Sequence, residues 1–175
     1  MIVIEYLKNN YFAGLKSSPL RSINYTLGFV CTYAAVALVV GVRSGLFKPA
    51  IVDAETAFAV PFSLFLFPSF LEESFFRGVL IPNGAKERGL RFTVSIALIS
   101  SILFVLWHPL NALTINRGAQ GIFLNPFFLF IAFCLGLACS LSYIYSKSLW
   151  AAVMIHWVTV CVWVLFLGGR NLLLE

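Results

Sequence analysis

The chain has 175 residues, of which 61% are hydrophobic and 11% charged, with a mean hydropathy of +0.94. Soluble domains are about a quarter charged, so this composition excludes a water-soluble globule, a disordered tail and a nucleic-acid-binding module. A formal charge of +5 comes from basic residues set between apolar runs, where anionic head groups and topology account for it and no nucleic-acid partner is expected.

In chain order, residues 1–22 mix polar and apolar side chains, with Tyr6, Lys8, Tyr11, Phe12, Lys16 and Arg21, and suit an interfacial segment, a helix lying at the membrane surface. The patch Met1 to Ile4 is too short for a signal peptide, so insertion is expected to use internal segments. A bilayer core about 30 Å thick needs roughly 20 apolar residues. Five runs qualify: Ile23 to Val42, Ala57 through Phe76 and on towards Ile81, Phe92 to Trp107, Pro126 to Tyr145, and Leu149 to Leu167. Pro109 to Asn125 is too polar to span and reads as a loop or re-entrant turn. The expected fold is all-α: a multi-pass membrane bundle of one domain, residues 23–175, of about five spans.

Eight of the 12 basic residues, Lys8, Lys16, Arg21, Arg77, Lys86, Arg88, Arg91 and Lys147, fall on the side of the N-terminus. Arg43, Lys48, Arg117 and Arg170 fall on the other, which predicts a cytoplasmic N-terminus. Cys31, Cys134, Cys139 and Cys161 all lie in apolar stretches without redox or zinc spacing, and read as packing residues.

An ionisable residue inside a span costs about 3 kcal/mol on insertion scales and is by default a functional candidate. Three places qualify: Glu72-Glu73 with Arg77, His108, and His156. Glu73 and Arg77 are four apart, in the favourable order for a charge pair on one helix face. Glu72 is turned about 100° from Glu73 and is left as the free carboxylate. If the chain reverses near Lys86 to Arg91, Glu72 and His108 each lie roughly 20 to 30 Å along their helices from the tip, and His156 reaches the same depth roughly 13 Å into its own. A carboxylate and two imidazoles can then meet inside the bilayer.

Such a carboxylate beside one imidazole can take a proton from water and return it to a leaving group, while a second imidazole polarises a carbonyl oxygen. Glu72, His108 and His156 also resemble a zinc ligand set, but the H-E-x-x-H motif is absent; no cofactor is expected, with zinc as the alternative. Blander readings stand beside these: charges snorkelling from a helix end at Glu72, Glu73 and Arg77, an interfacial belt position at His108, and a helix-packing histidine at His156. Phe75, Phe76, Phe104 and Trp107 suit either an apolar pocket or a lipid-facing surface.

The pattern Glu72-Glu73-x-x-x-Arg77, Phe104-x-x-x-His108 and a later His156 resembles the three-part signature of the CPBP family, the CAAX proteases and bacteriocin-processing enzymes, over about residues 57–167. The resemblance implies a glutamate-type intramembrane endopeptidase acting on a membrane-associated peptide or lipidated protein, multi-pass in a bacterial inner membrane. It implies that Glu72 and His108 activate water, that His156 assists at the oxyanion, and that Glu73, Arg77 and Phe104 support them. The family commonly has a polar residue such as Asn four positions after the last histidine, where this chain has Val160. Thr159, Asn111 or a backbone N–H could supply the missing donor. The alternative is a non-catalytic membrane scaffold or bacteriocin self-immunity protein that keeps the fold; a proton-relaying transporter is a third reading, without the internal repeat it would call for.

Overall fold

The computed structural model describes residues 2–52 and 54–169. Arg170 and the rest of the range to 175 lie outside the described residues, as does Met1 of the first apolar patch.

The described residues form helices α1 (Ile2–Lys16), α2 (Ile23–Arg43), α3 (Ala54–Leu64), α4 (Leu71–Glu73), α5 (Leu90–Thr114), α6 (Gln120–Phe123), α7 (Pro126–Ser146) and α8 (Leu149–Phe166). Five stretches are long and apolar enough to cross a membrane: α2, residues Ala57–Val79, α5, α7 and α8. All five expected spans are therefore present, in an all-α bundle. Apolar side chains such as Leu38, Phe58, Leu106 and Val158 are exposed on its outside, as a lipid-facing surface requires.

α7 is the central helix, packed against α2, α5 and α8. Its core face carries small residues, Gly136, Ala138, Cys139, Ser140 and Ser142, all buried. Small side chains let helices approach closely where the surrounding lipid provides no hydrophobic drive. α7 begins on Asn125, whose Oδ1 accepts from the N–H groups of Phe127 and Phe128, with Pro126 at the first helical position.

The second span is not a uniform α-helix. Pro68 has no N–H and disfavours helical geometry in the residue before it, and Phe67 is extended at φ −135°, ψ 117°. Phe65–Phe70 is thus a kink where two helical pieces meet, and a π-helical turn at Ser74–Val79 follows the three-residue α4. The carboxylate pair lies between the proline kink and a segment of widened helix, a distortion that recurs at functional sites.

α5 runs to Thr114, about two turns beyond His108, where a loop was expected from Pro109 onward. Proline removes a single N–H bond, while Asn111 and Ala112 on the following turn are buried against the bundle. Packing of that turn outweighs the one lost bond. The remainder of the expected loop holds a 3₁₀ turn, Arg117–Ala119, and the short α6.

α1 is held against the second span by polar contacts. Asn10 Nδ2 donates to the carbonyls of Gly78 and Ile81, and its Oδ1 accepts from Asn83 N–H. The hydroxyls of Tyr11 and Ser74 are hydrogen-bonded at 3.1 Å. Further along, Ser148 Oγ and Trp150 Nε1 donate to the carbonyls of Ser17 and Leu15. At the same end, Glu87 pairs with Lys147, whose hydrogen bond holds the Glu87 carboxyl below its ordinary value. That exposed contact stabilises at pH above the usual glutamate range and fades as pH falls through the lowered value.

Candidate active site

Glu73 is the centre of a buried ionic cluster. Its Oε1 accepts from Arg77 Nη1 at 3.0 Å and lies 2.8 Å from His156 Nδ1. Arg77 Nη2 donates to the Gly136 carbonyl at 2.9 Å, and the guanidinium sits 4.7 Å from the centroid of Phe104. Glu73 and Arg77 are both fully buried, and His156 nearly so. The pairing expected from the four-residue spacing is present, with His156 of α8 as a further partner.

Glu72 takes a different environment. Its Oε1 accepts from Trp107 Nε1 at 3.0 Å, and its Oε2 is buried without a hydrogen-bond partner among the described residues. Among those residues it pairs with no cation, as expected, but it does have a donor. An indole N–H can only donate and needs an acceptor when buried, so a tryptophan beside His108 in an apolar span was the signal for this contact.

His108 Nδ1 lies 2.9 Å from the Phe104 carbonyl oxygen. A carbonyl only accepts, so Nδ1 carries the proton and Nε2 presents a lone pair in the neutral ring. The ring is buried, meeting Phe104, Phe123 and Phe128 edge-on, so an interfacial belt position does not describe it. Phe104 also meets the His156 ring edge-on at 5.6 Å, and so stands between the two histidines. Phe76 packs on Phe104, whereas Phe75 points outward and is exposed.

Glu72, Phe104, His108, Asn111 and His156 all line one cavity of about 1000 Å³. α2 also lines it, through residues such as Ile23, Val30 and Tyr33. Its lining is mostly apolar, with few polar groups, in the manner of a binding site for an apolar ligand. Val160 also lines it and offers no hydrogen-bond donor.

Nδ1 of each histidine is engaged, which leaves each Nε2 towards the cavity. Among the described residues no three His, Cys, Asp or Glu side chains are grouped in metal-ligand geometry.

Close approach of α5 and α7 holds the cluster together. A Cβ on Gly136 would lie 3.2 Å from Ser101 Cβ and 3.3 Å from Phe104 Cδ1. Gly136→Val is expected to cost about 1–3 kcal/mol through overpacking and to lower activity by displacing Phe104 from between the imidazoles. Thermal unfolding in detergent, read beside a cleavage rate, checks this; unchanged values would show that the gap between the helices yields freely.

The family described as type II CAAX prenyl endopeptidase Rce1-like matches residues 54–162. The chain belongs to that family. It is thereby an integral membrane protein of a peptidase family, in agreement with its five apolar spans. No curated protein and no solved structure matches the chain. The Rce1-like region contains Glu72, Glu73, Arg77, Phe104, Trp107, His108, Asn111 and His156. α1 and α2 lie outside it, although α2 forms a wall of the cavity.

Proposed function

We propose that this protein hydrolyses a peptide bond of a membrane-associated, lipid-modified substrate, with water as the nucleophile and without a metal ion. The observation that carries this reading is the unpartnered carboxylate oxygen of Glu72 in the cavity that His108 and His156 also line. The substrate's apolar part lies against the α2 wall, and its scissile bond reaches the polar groups.

Glu72 Oε2 takes a proton from water as the water oxygen bonds to the scissile carbonyl carbon. His108 Nε2 accepts the other water hydrogen and orients the attacking lone pair. The carbonyl π electrons move onto oxygen, and His156 Nε2–H stabilises the negative charge. Because Nδ1 of His156 donates to Glu73, Nε2 can donate as well only in the imidazolium form. Glu72 and Glu73 ionised, with Arg77 and the imidazolium, sum to zero charge, which supports that state in a buried cluster. The tetrahedral species collapses as the C–N bond breaks, and the proton held on Glu72 passes to the leaving nitrogen. Positioned acid–base groups contribute typically about 10² to 10⁴ in rate, and one oxyanion donor about 10² to 10³.

The test uses the full chain in proteoliposomes with a fluorogenic, farnesylated CAAX peptide. Wild-type protein is expected to cleave it, with the rate unaffected by excess chelator, and His108→Ala is expected to lose about 10²-fold or more in kcat. Inhibition by chelator that added zinc reverses would overturn the metal-free chemistry. The scaffold reading is favoured by Val160 in the cavity wall, and it predicts a wild-type protein that binds the peptide and leaves it intact.

A further inference from the structure

Among the polar side chains of the cavity that the steps above do not use, one is buried on the same helix as His108. Asn111 lies three residues after His108 on α5, so it faces the same cavity about one turn further along. It is 7% exposed, its Oδ1 is buried without a partner, and its side chain makes no hydrogen bond to any described residue. Its backbone is pinned, the carbonyl accepting from the N–H groups of Ile115 at 2.9 Å and Asn116 at 2.8 Å. A buried amide left idle costs about 1–3 kcal/mol for each unmet group, and an apolar residue of the same shape would avoid that cost. The other polar groups around the cavity fit the role less well. Ser63 Oγ already donates to the Val60 carbonyl, Asn116 and Thr159 are only half-buried, and Tyr33 and Thr26, whose Oγ1 is likewise buried without a partner, stand on α2 outside the Rce1-like region.

We infer that Asn111 is a further catalytic residue, whose side-chain amide pairs with the backbone of the substrate residue that carries the attacked carbonyl. In an extended residue the N–H and C=O point to the same side, as in the hydrogen-bonded pairs of antiparallel strands. A planar carboxamide matches both: Oδ1 accepts from the N–H, and Nδ2 donates to the carbonyl oxygen as it becomes negative. Asn111 thereby supplies the second oxyanion donor that Val160 does not. It also fixes which carbonyl is presented to the Glu72 water.

This inference rests on the endopeptidase reading, so Glu72→Gln is measured in parallel. The probe is the farnesylated CAAX peptide, with the residue before the cut located by mass spectrometry of the products. A second probe carries an ester in place of the peptide link preceding that residue, which removes only its N–H. Asn111→Leu is expected to lower kcat by about 10² to 10³ while thermal unfolding in detergent stays near wild type. The ester probe is expected to react several-fold more slowly than the peptide with wild-type protein and at the same rate as the peptide with Asn111→Leu. Equal sensitivity of both proteins to the ester, or wild-type kcat in Asn111→Leu, would overturn the assignment. Should Asn111→Leu fail to fold, Asn111→Ala is put through the same comparison. Wild type and Glu72→Gln cleaving alike, or wild type leaving the peptide intact, would instead defeat the endopeptidase reading.

Discussion

Glu72→Gln is expected to reduce kcat by about 10³-fold or more while leaving the folded protein intact. The substitution keeps the shape of the side chain and an oxygen for Trp107 Nε1, which now donates to Glu72 Oε1 at 3.0 Å. It replaces the unpartnered Oε2 by an amide or leaves a weakly basic carbonyl, so no group remains to take the proton from water. Glu72 makes no salt bridge with a described residue, so the substitution strands no ion-pair partner, although it removes one of the two negative charges that balance Arg77 and the imidazolium. KM is expected to change far less than kcat, because the carboxylate acts on water and not on the bound peptide. Kinetics on the farnesylated peptide, with thermal unfolding measured alongside, check both halves. A Glu72→Gln protein as active as wild type would remove Glu72 from the chemistry.

Arg77→Met has the opposite balance, because its first consequence is on folding. Arg77 bridges Glu73 on its own helix and the Gly136 carbonyl of α7, and it lies over Phe104 of α5. Removing one partner of a buried ion pair strands the other, at a cost of about 3–5 kcal/mol. The Glu73 carboxylate would retain only His156. The double variant Arg77→Met with Glu73→Gln is expected to recover much of that stability, since no charge is then left unpaired. Activity is not expected to return, because a neutral amide in place of the Glu73 carboxylate would no longer hold His156 as the imidazolium that the oxyanion requires. Thermal unfolding and kcat for the two singles and the double form the cycle. Stability losses that simply add would show that the two groups do not act as one cluster.

Much of this architecture was legible in the sequence because bilayer thickness imposes a length that few other features imitate. The five apolar runs correspond to the five candidate spans, with ends differing by a few residues except at α5, which runs seven residues past Trp107. The Glu73–Arg77 contact was legible for a similar reason, since helical geometry fixes neighbours four residues apart. Contacts between helices were not. The Glu73–His156 bond joins residues 83 apart, and its existence depends on how α8 rotates against α4, which no local period records. The proline kink before α4 and the π-helical turn after it also escaped a reading that assumed 3.6 residues per turn, although Pro68 marked the place where that assumption fails. At Pro109 the error ran the other way, because a residue that weakens a helix locally was outweighed by the burial of Asn111 and Ala112 beyond it. The docking of α1 through Asn10 was hidden for the same reason as the Glu73–His156 bond, being a contact with Gly78 and Ile81 about 70 residues away.

Water as the direct nucleophile distinguishes this account from one that forms an acyl-enzyme. The most direct test is a single turnover of the farnesylated peptide by proteoliposome-embedded protein in ¹⁸O-water, quenched over time and followed by mass spectrometry of both peptide and protein. The account predicts one ¹⁸O in the new carboxylate and a protein mass unchanged at every time point, with hydroxylamine yielding no hydroxamate product. A transient protein adduct that grows and decays as the carboxylate appears, or capture of the acyl group by hydroxylamine, would contradict it.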